Sequence, residues 1–235
     1  TNLWDRAVWL SHGKMQSYGS AKEVSEAYLA DLFGSKNSQN DTPPATLRTV
    51  EHWKDQRQAL LQHSNLRNDL EIFNFDPEQA GFGKGSARIA DVHLTDTEGA
   101  GLHWVVGGEL VRLVIQIQVM QPLDQPIVGF YVKDRLGQTL FGDNTYLTYI
   151  DNPVAVEAGQ LLRVVFEFAM PILPKGDYSI AVAIANGTQE DHVQHHWIHD
   201  ALLFKSHSSS AASGLVGIPM RHIEAQVDSS VKKHS

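Results

Sequence analysis

The chain has no cysteine among its 235 residues. That excludes a disulfide framework and any cysteine-ligated metal centre. The absence suits a reducing compartment without requiring one. Long apolar runs are missing too. The longest are strand-sized, such as Gln160-Leu-Leu-Arg-Val-Val-Phe-Glu-Phe-Ala169, which Arg163 and Glu167 interrupt. A membrane-spanning helix needs roughly 20 consecutive apolar residues. There is no signal peptide and no initiating methionine, so the chain reads as a piece of something longer. Basic residues are few: 19 Lys and Arg stand against 27 Asp and Glu, a net charge of −8 with no local basic stripe. Duplex nucleic acid and anionic membrane surfaces are therefore poor partners.

What is present is ordinary for a soluble globular chain: 42% apolar and 20% charged residues, enough for one large domain or two small ones. Residues 1–33 form a compact start, with a strand-like Arg6-Ala-Val-Trp-Leu10 and a helical pattern over 21–33. Ser20 is its N-cap and Glu23 completes a capping box. Residues 34–46 are polar with two prolines and read as the heart of a linker over 34–70, in which 49–62 has the spacing of a short helix. From about residue 71 to 206 the apolar period becomes two. Strands are expected over 87–94, 110–120, 127–133, 161–169, 178–185 and 197–205, separated by turn signals such as Asp96-Thr-Glu-Gly99 and Asn186-Gly187. Short strands at this spacing, with almost no helix between them, predict an all-β fold, an antiparallel β-sandwich. A Ser-rich hinge starts at His207, one more strand is expected over 215–223, and residues 227–235 form a polar tail expected to be disordered.

Signatures of catalysis are absent: no phosphate loop, no nucleophile elbow, no His-Glu-x-x-His pair. The glycines of Gly81-Phe-Gly-Lys-Gly85 precede a strand and open no helix, which leaves a phosphate without a helix N-terminus. A loop needing unusual backbone angles is the simpler reading. Asp191-His-Val-Gln-His-His-Trp-Ile-His-Asp200 holds four of the 12 histidines. On a strand, His195, Trp197 and His199 share one face, and zinc or nickel there would need a third ligand from elsewhere. A wet strand end beside a buried tryptophan explains the run more simply, and no metal site is expected. Carboxylates Glu109, Asp134, Asp143, Glu157 and Glu167 are scattered singly, as solvated turn and strand-edge residues are.

Sugar recognition fits the residue types better, because saccharides are held by planar polar side chains and aromatic faces. Along residues 110–120 one face is apolar, and the opposite face carries Arg112, Gln116 and Gln118. Tyr131 and Lys133 alternate with apolar residues on 128–133, and Arg163 stands on the outer face of the strand around 162–168. If these strands are neighbours, one sheet presents Arg112, Gln116, Gln118, Tyr131, Lys133 and Arg163 together. From the residues alone, the same pattern is also that of a plain solvated sheet face.

Several ordered segments resemble a known family. Asp5-Arg-Ala-Val-Trp-Leu10, Gly13-Lys-Met-Gln-Ser-Tyr-Gly19 and Ala21-Lys-Glu-Val-Ser-Glu-Ala-Tyr28 resemble the end of an ABC transporter nucleotide-binding domain. Lys54-Asp-Gln-Arg57, Asn65-Leu-Arg-Asn-Asp69, Gly81-Phe-Gly-Lys-Gly-Ser-Ala-Arg-Ile89, Lys133-Asp-Arg-Leu-Gly137, Leu140-Phe-Gly-Asp-Asn-Thr145 and His196-Trp-Ile-His-Asp-Ala201 resemble the C-terminal domain of Wzt, the ATP-binding subunit of O-antigen polysaccharide exporters. The resemblance implies an immunoglobulin-like sandwich that binds O-antigen polysaccharide at its non-reducing end, selecting finished chains for export with the membrane-spanning subunit Wzm. It implies a cytoplasmic site at the inner membrane and a homodimer able to exchange the strand over 214–223. It also implies no catalysis and no cofactor in this stretch, ATP and magnesium belonging to the upstream part of a full-length parent ATPase. An assembly module that dimerises the exporter without touching sugar is the alternative. The family supplies no sugar motif that transfers residue by residue.

Overall fold

The structure, a computed structural model, describes residues 6–11, 14–20, 24, 27, 55–63, 67–207 and 214–226. Most of the helix expected over 21–33 lies outside the described residues, as do the linker over 34–46, the Ser-rich run over 208–213 and the tail from 227. Strands β1 (Ala7–Ser11) and β2 (Lys14–Gly19) form an antiparallel pair, and the described part of the helix expected over 49–62 is α1 (Gln58–Gln62).

The sandwich is built from β3 (Asp69–Ile72), β4 (Gly81–Phe82), β5 (Ala87–Thr95), β6 (Trp104–Val106), β7 (Leu110–Val119), β8 (Pro126–Asp134), β9 (Thr139–Asn144), β10 (Leu161–Ala169), β11 (Gly176–Gly187) and β12 (His192–Ser206). The small sheet has the order β10-β7-β5. The large one runs β6-β3-β12-β11-β8-β9, with β4 added beside β12, and the pairings within both are antiparallel. Period-two alternation is the cause. Leu113, Ile115 and Ile117 on β7 turn one way and meet Phe130 and Val132 on β8 and Ile180, Val182 and Ile184 on β11, in one contiguous core. Burying each such side chain stabilises the fold by roughly 1.5–3 kcal/mol. The all-β sandwich is the fold the sequence predicts.

Two polar clips close the ends. Asn68 is 3% exposed; its amide donates to Leu173 O (2.9 Å) and Ser206 Oγ (3.0 Å) and accepts from Leu173 N (3.0 Å). Asp55, 4% exposed, accepts from Arg57 N (2.7 Å), from the Arg57 guanidinium and from Met220 N (2.7 Å). The expected strand over 215–223 does not form. Among its described residues Gly217 alone makes a strand-type bridge, exchanging two backbone hydrogen bonds with Ile172, and Met220 O accepts from Gln56 N. Pro219 lacks the N–H a longer ladder would use.

Candidate functional site

Strands β8 and β12 flank β11, whose residues on the outer face at this level are Ala181 and Ala183, opposite Tyr131 and Trp197 respectively. Over these small side chains the two large rings lean together, with centroids 6.0 Å apart and planes at 28°. Gly142 on the neighbouring β9 makes room on the other side, since a Cβ there would lie 2.6 Å from Tyr131 Cδ1. The row continues across β12 to Phe82 on β4, stacked on Trp197 at 6.2 Å and 18°. His199 closes the group, 5.5 Å from the Phe82 ring. Phe82 is 51% exposed, and Tyr131, Trp197 and His199 are half-buried.

Hydrogen bonding gives this platform polar edges. The Trp197 indole N–H donates to His199 Nδ1 (3.1 Å), which leaves the proton of the neutral His199 ring on Nε2. The Tyr131 hydroxyl has no hydrogen-bond partner among the described residues, and burial raises its pKa, keeping it a donor. Stacked rings with hydroxyl and imidazole edges suit the flat apolar side and the hydroxyl rim of a sugar ring.

The glycine-rich segment positions Phe82. It clasps β12 through Lys84 N to Gln194 O (2.9 Å) and Gly85 N to His195 O (3.0 Å), beyond the pairing of Phe82 with Trp197. Gly83 has φ +146°, and a Cβ there would fall 2.2 Å from His195 O. The segment is thus the strained loop of the simpler reading, with its glycines placed for close approach to β12. Beneath it, His196 Nδ1 accepts the Ile89 N–H (3.0 Å) and so joins the two sheets. His195 is 5% exposed, and its Nδ1 has no hydrogen-bond partner among the described residues. Burial, and then a nearby cation (Lys84 for His195, Arg88 for His196), lowers both imidazole pKa values. The strand end expected to be wet is therefore dry at His195, while Trp197 is only half-buried. Among the described residues no group of three His, Asp or Glu side chains is placed to hold a metal ion.

The six residues expected on one sheet divide between two. Arg112, Gln116 and Gln118 on β7 and Arg163 on β10 belong to the small sheet, where Arg163 pairs with Gln116. Tyr131 and Lys133 lie on β8 in the large sheet. The β7–β8 connection crosses from one sheet to the other, so strands consecutive in sequence are not neighbours. Arg112 is engaged by Glu167 (2.6 Å) and Thr97 O (2.6 Å), and Lys133 is only 3% exposed. Tyr131 alone of the six belongs to the platform. Phe82 was weighed only within a glycine-rich loop, and Trp197 and His199 only as a face for metal or a strand end; none was expected among the sugar-binding residues.

The profile of the Wzt C-terminal domain family matches residues 78–218, more than half of the chain and all of the platform. The chain belongs to the Wzt C-terminal domain family. That family is a non-catalytic part of an ABC transporter subunit and is associated with O-antigen export. A crystal structure of the C-terminal domain of Wzt shares the fold, with a TM-score of 0.52 and 22% identity over 65% of this chain and 92% of that one. No curated protein is significantly similar to the chain. The match leaves out residues 1–77, where the resemblance to a nucleotide-binding domain lies. No helix among the described residues is long and apolar enough to cross a membrane.

Proposed function

We propose that the domain binds O-antigen polysaccharide on the row Tyr131–Trp197–Phe82–His199, selecting finished chains by their non-reducing end for export with the membrane-spanning subunit Wzm from the cytoplasmic side. The observation that carries this reading is an accessible, nearly parallel aromatic row on the outer face of a sheet in a domain of an export family. Binding requires no catalysis and no cofactor in this stretch. Isothermal titration of the O-polysaccharide from the strain that encodes the chain tests it. Trp197→Ala should weaken binding about tenfold or more, the loss of a stacked ring. Arg112→Ala, whose guanidinium is already engaged within the small sheet, should leave affinity near that of the unmodified chain. Equal affinity in Trp197→Ala would remove the platform from consideration.

A homodimer is the companion proposal, favoured by the terminal segment. Leu215, Ile218, Met220 and Ile223 are each at least 44% exposed, and one backbone pairing joins the segment to Ile172. Strand exchange between two copies would cover these side chains. Light scattering should find a dimer for the chain and a monomer after deletion of residues 207–235.

A further inference from the structure

The β9–β10 loop turns its apolar side chains outward. Leu147 is 74% exposed, Ile150 50%, Tyr149 45% and Val154 44%, and the single turn Leu147–Tyr149 buries none of its residues. Beside them a cleft of about 110 Å³ opens where the β7–β8 loop, the β9–β10 loop and the β11–β12 hairpin meet. Gln125, Tyr146, Tyr149, Pro153 and Thr188 line it, and no platform residue does. The cleft is the size of one side chain, and an apolar surface around a small hole is the form of a docking site for an anchor residue.

The charge on the three segments that meet there has one sign. Asp124, Asp143, Asp151, Glu190 and Asp191 are all exposed, and none is in an ion pair among the described residues. The three segments that carry them, 121–127, 143–154 and 187–191, contain no Lys or Arg. An anionic lipid surface or a nucleic acid is repelled by such a rim. A second copy meeting this end symmetrically would set the same carboxylates against one another. Leu147, Ile150 and Val154 rim the site with apolar surface that pairs with an aliphatic side chain and has no partner for a sugar hydroxyl. A peptide segment carrying Lys or Arg beside an aliphatic residue satisfies both the rim and the hole.

We propose that this end of the sandwich docks a basic, apolar peptide segment of a protein partner, with one aliphatic side chain in the tyrosine-lined cleft. The site is independent of the glycan reading. The experiment is an amide-resonance titration of the 235-residue chain with an acetylated, amidated Lys-Leu-Arg-Lys-Leu-Leu-Lys peptide, and with its counterpart carrying Glu at every basic position. The basic peptide should move the amides of residues 145–150 and 187–188, and the acidic one should move none. Leu147→Ser should weaken the basic peptide about tenfold through lost apolar contact. Asp151→Asn should weaken it by up to about fivefold, with the effect fading as salt screens the rim. Shifts spread over every acidic surface and indifferent to Leu147→Ser would overturn the proposal. Shifts in these amides caused by an O-polysaccharide fragment and not by the peptide would reassign the cleft to sugar. Self-association abolished by Leu147→Ser would reassign it to a second copy. A failed glycan titration at Trp197 touches none of these outcomes.

Discussion

At the scale of single residues, His196 is the most informative. Its Nδ1 can accept the Ile89 N–H only while the ring is neutral, and burial and then Arg88 lower its pKa below the ordinary 6.5. A depressed imidazole contributes stability that is complete above the ordinary value and lost as pH falls below it toward the folded value. Buried His195 acts in the same direction. The melting temperature should therefore drop between pH 7 and 5. His196→Asn, which keeps an acceptor near the Nδ1 position and cannot titrate, should make that drop shallower by about 2–4 °C. An equally steep drop in the variant would acquit His196. For Asp55, burial pushes the carboxyl up, but hydrogen bonds from Arg57 and Met220 prevail and hold it below 3.8. Its contribution is present above that value and lost as pH falls through the lowered one. Asn68→Ala strands the buried N–H of Leu173, whose C=O keeps the Ser206 hydroxyl, and chemical denaturation should show a loss of roughly 1–3 kcal/mol.

At the scale of elements, the clasp from Gly81 to Gly85 decides whether Phe82 joins the platform. Gly83→Ala combines a left-handed backbone angle with a Cβ 2.2 Å from His195 O, so the loop must lift. Hydrogen exchange at Lys84 and Gly85 should quicken, and glycan affinity should fall toward that of Phe82→Ala. Unchanged exchange would mean that the loop accommodates the methyl group in place. Strands β5, β7, β8 and β10 were legible because each buries one face, and burial enforces alternation. Strand β9 was not, because Gly142 interrupts its pattern to admit the Tyr131 ring from β8. Strands β4 and β6, two and three residues long, are too short for any period to show. Within one chain the segment over 215–223 forms only the Gly217 bridge, and Pro219 has no N–H to extend it there.

At the scale of the whole molecule, the terminal segment is tied to the residues before α1 and to the β10–β11 connection. Met220 bonds both Asp55 and Gln56, and Gly217 bonds Ile172. Asp55→Asn removes the carboxylate that faces Arg57, and it should raise protease cleavage within 214–226 while leaving the sandwich core intact by circular dichroism. Cleavage at the unmodified rate would show that the Gly217 pairing and the Gln56–Met220 backbone bond hold the segment without the carboxylate. What the sequence by itself determined is the fold class, the positions of the six long strands and the family, because alternation of side chains along a strand and ordered local motifs are written in the order of residues. The partners of each strand were decided only in three dimensions. The β7–β8 connection changes sheets, which separates Arg112, Gln116, Gln118 and Arg163 from Tyr131 and Lys133. The pairing of β4 with β12 unites Phe82 with Trp197 across more than a hundred residues. Which rings share a surface depends on long-range backbone hydrogen bonds, and no local pattern encodes those.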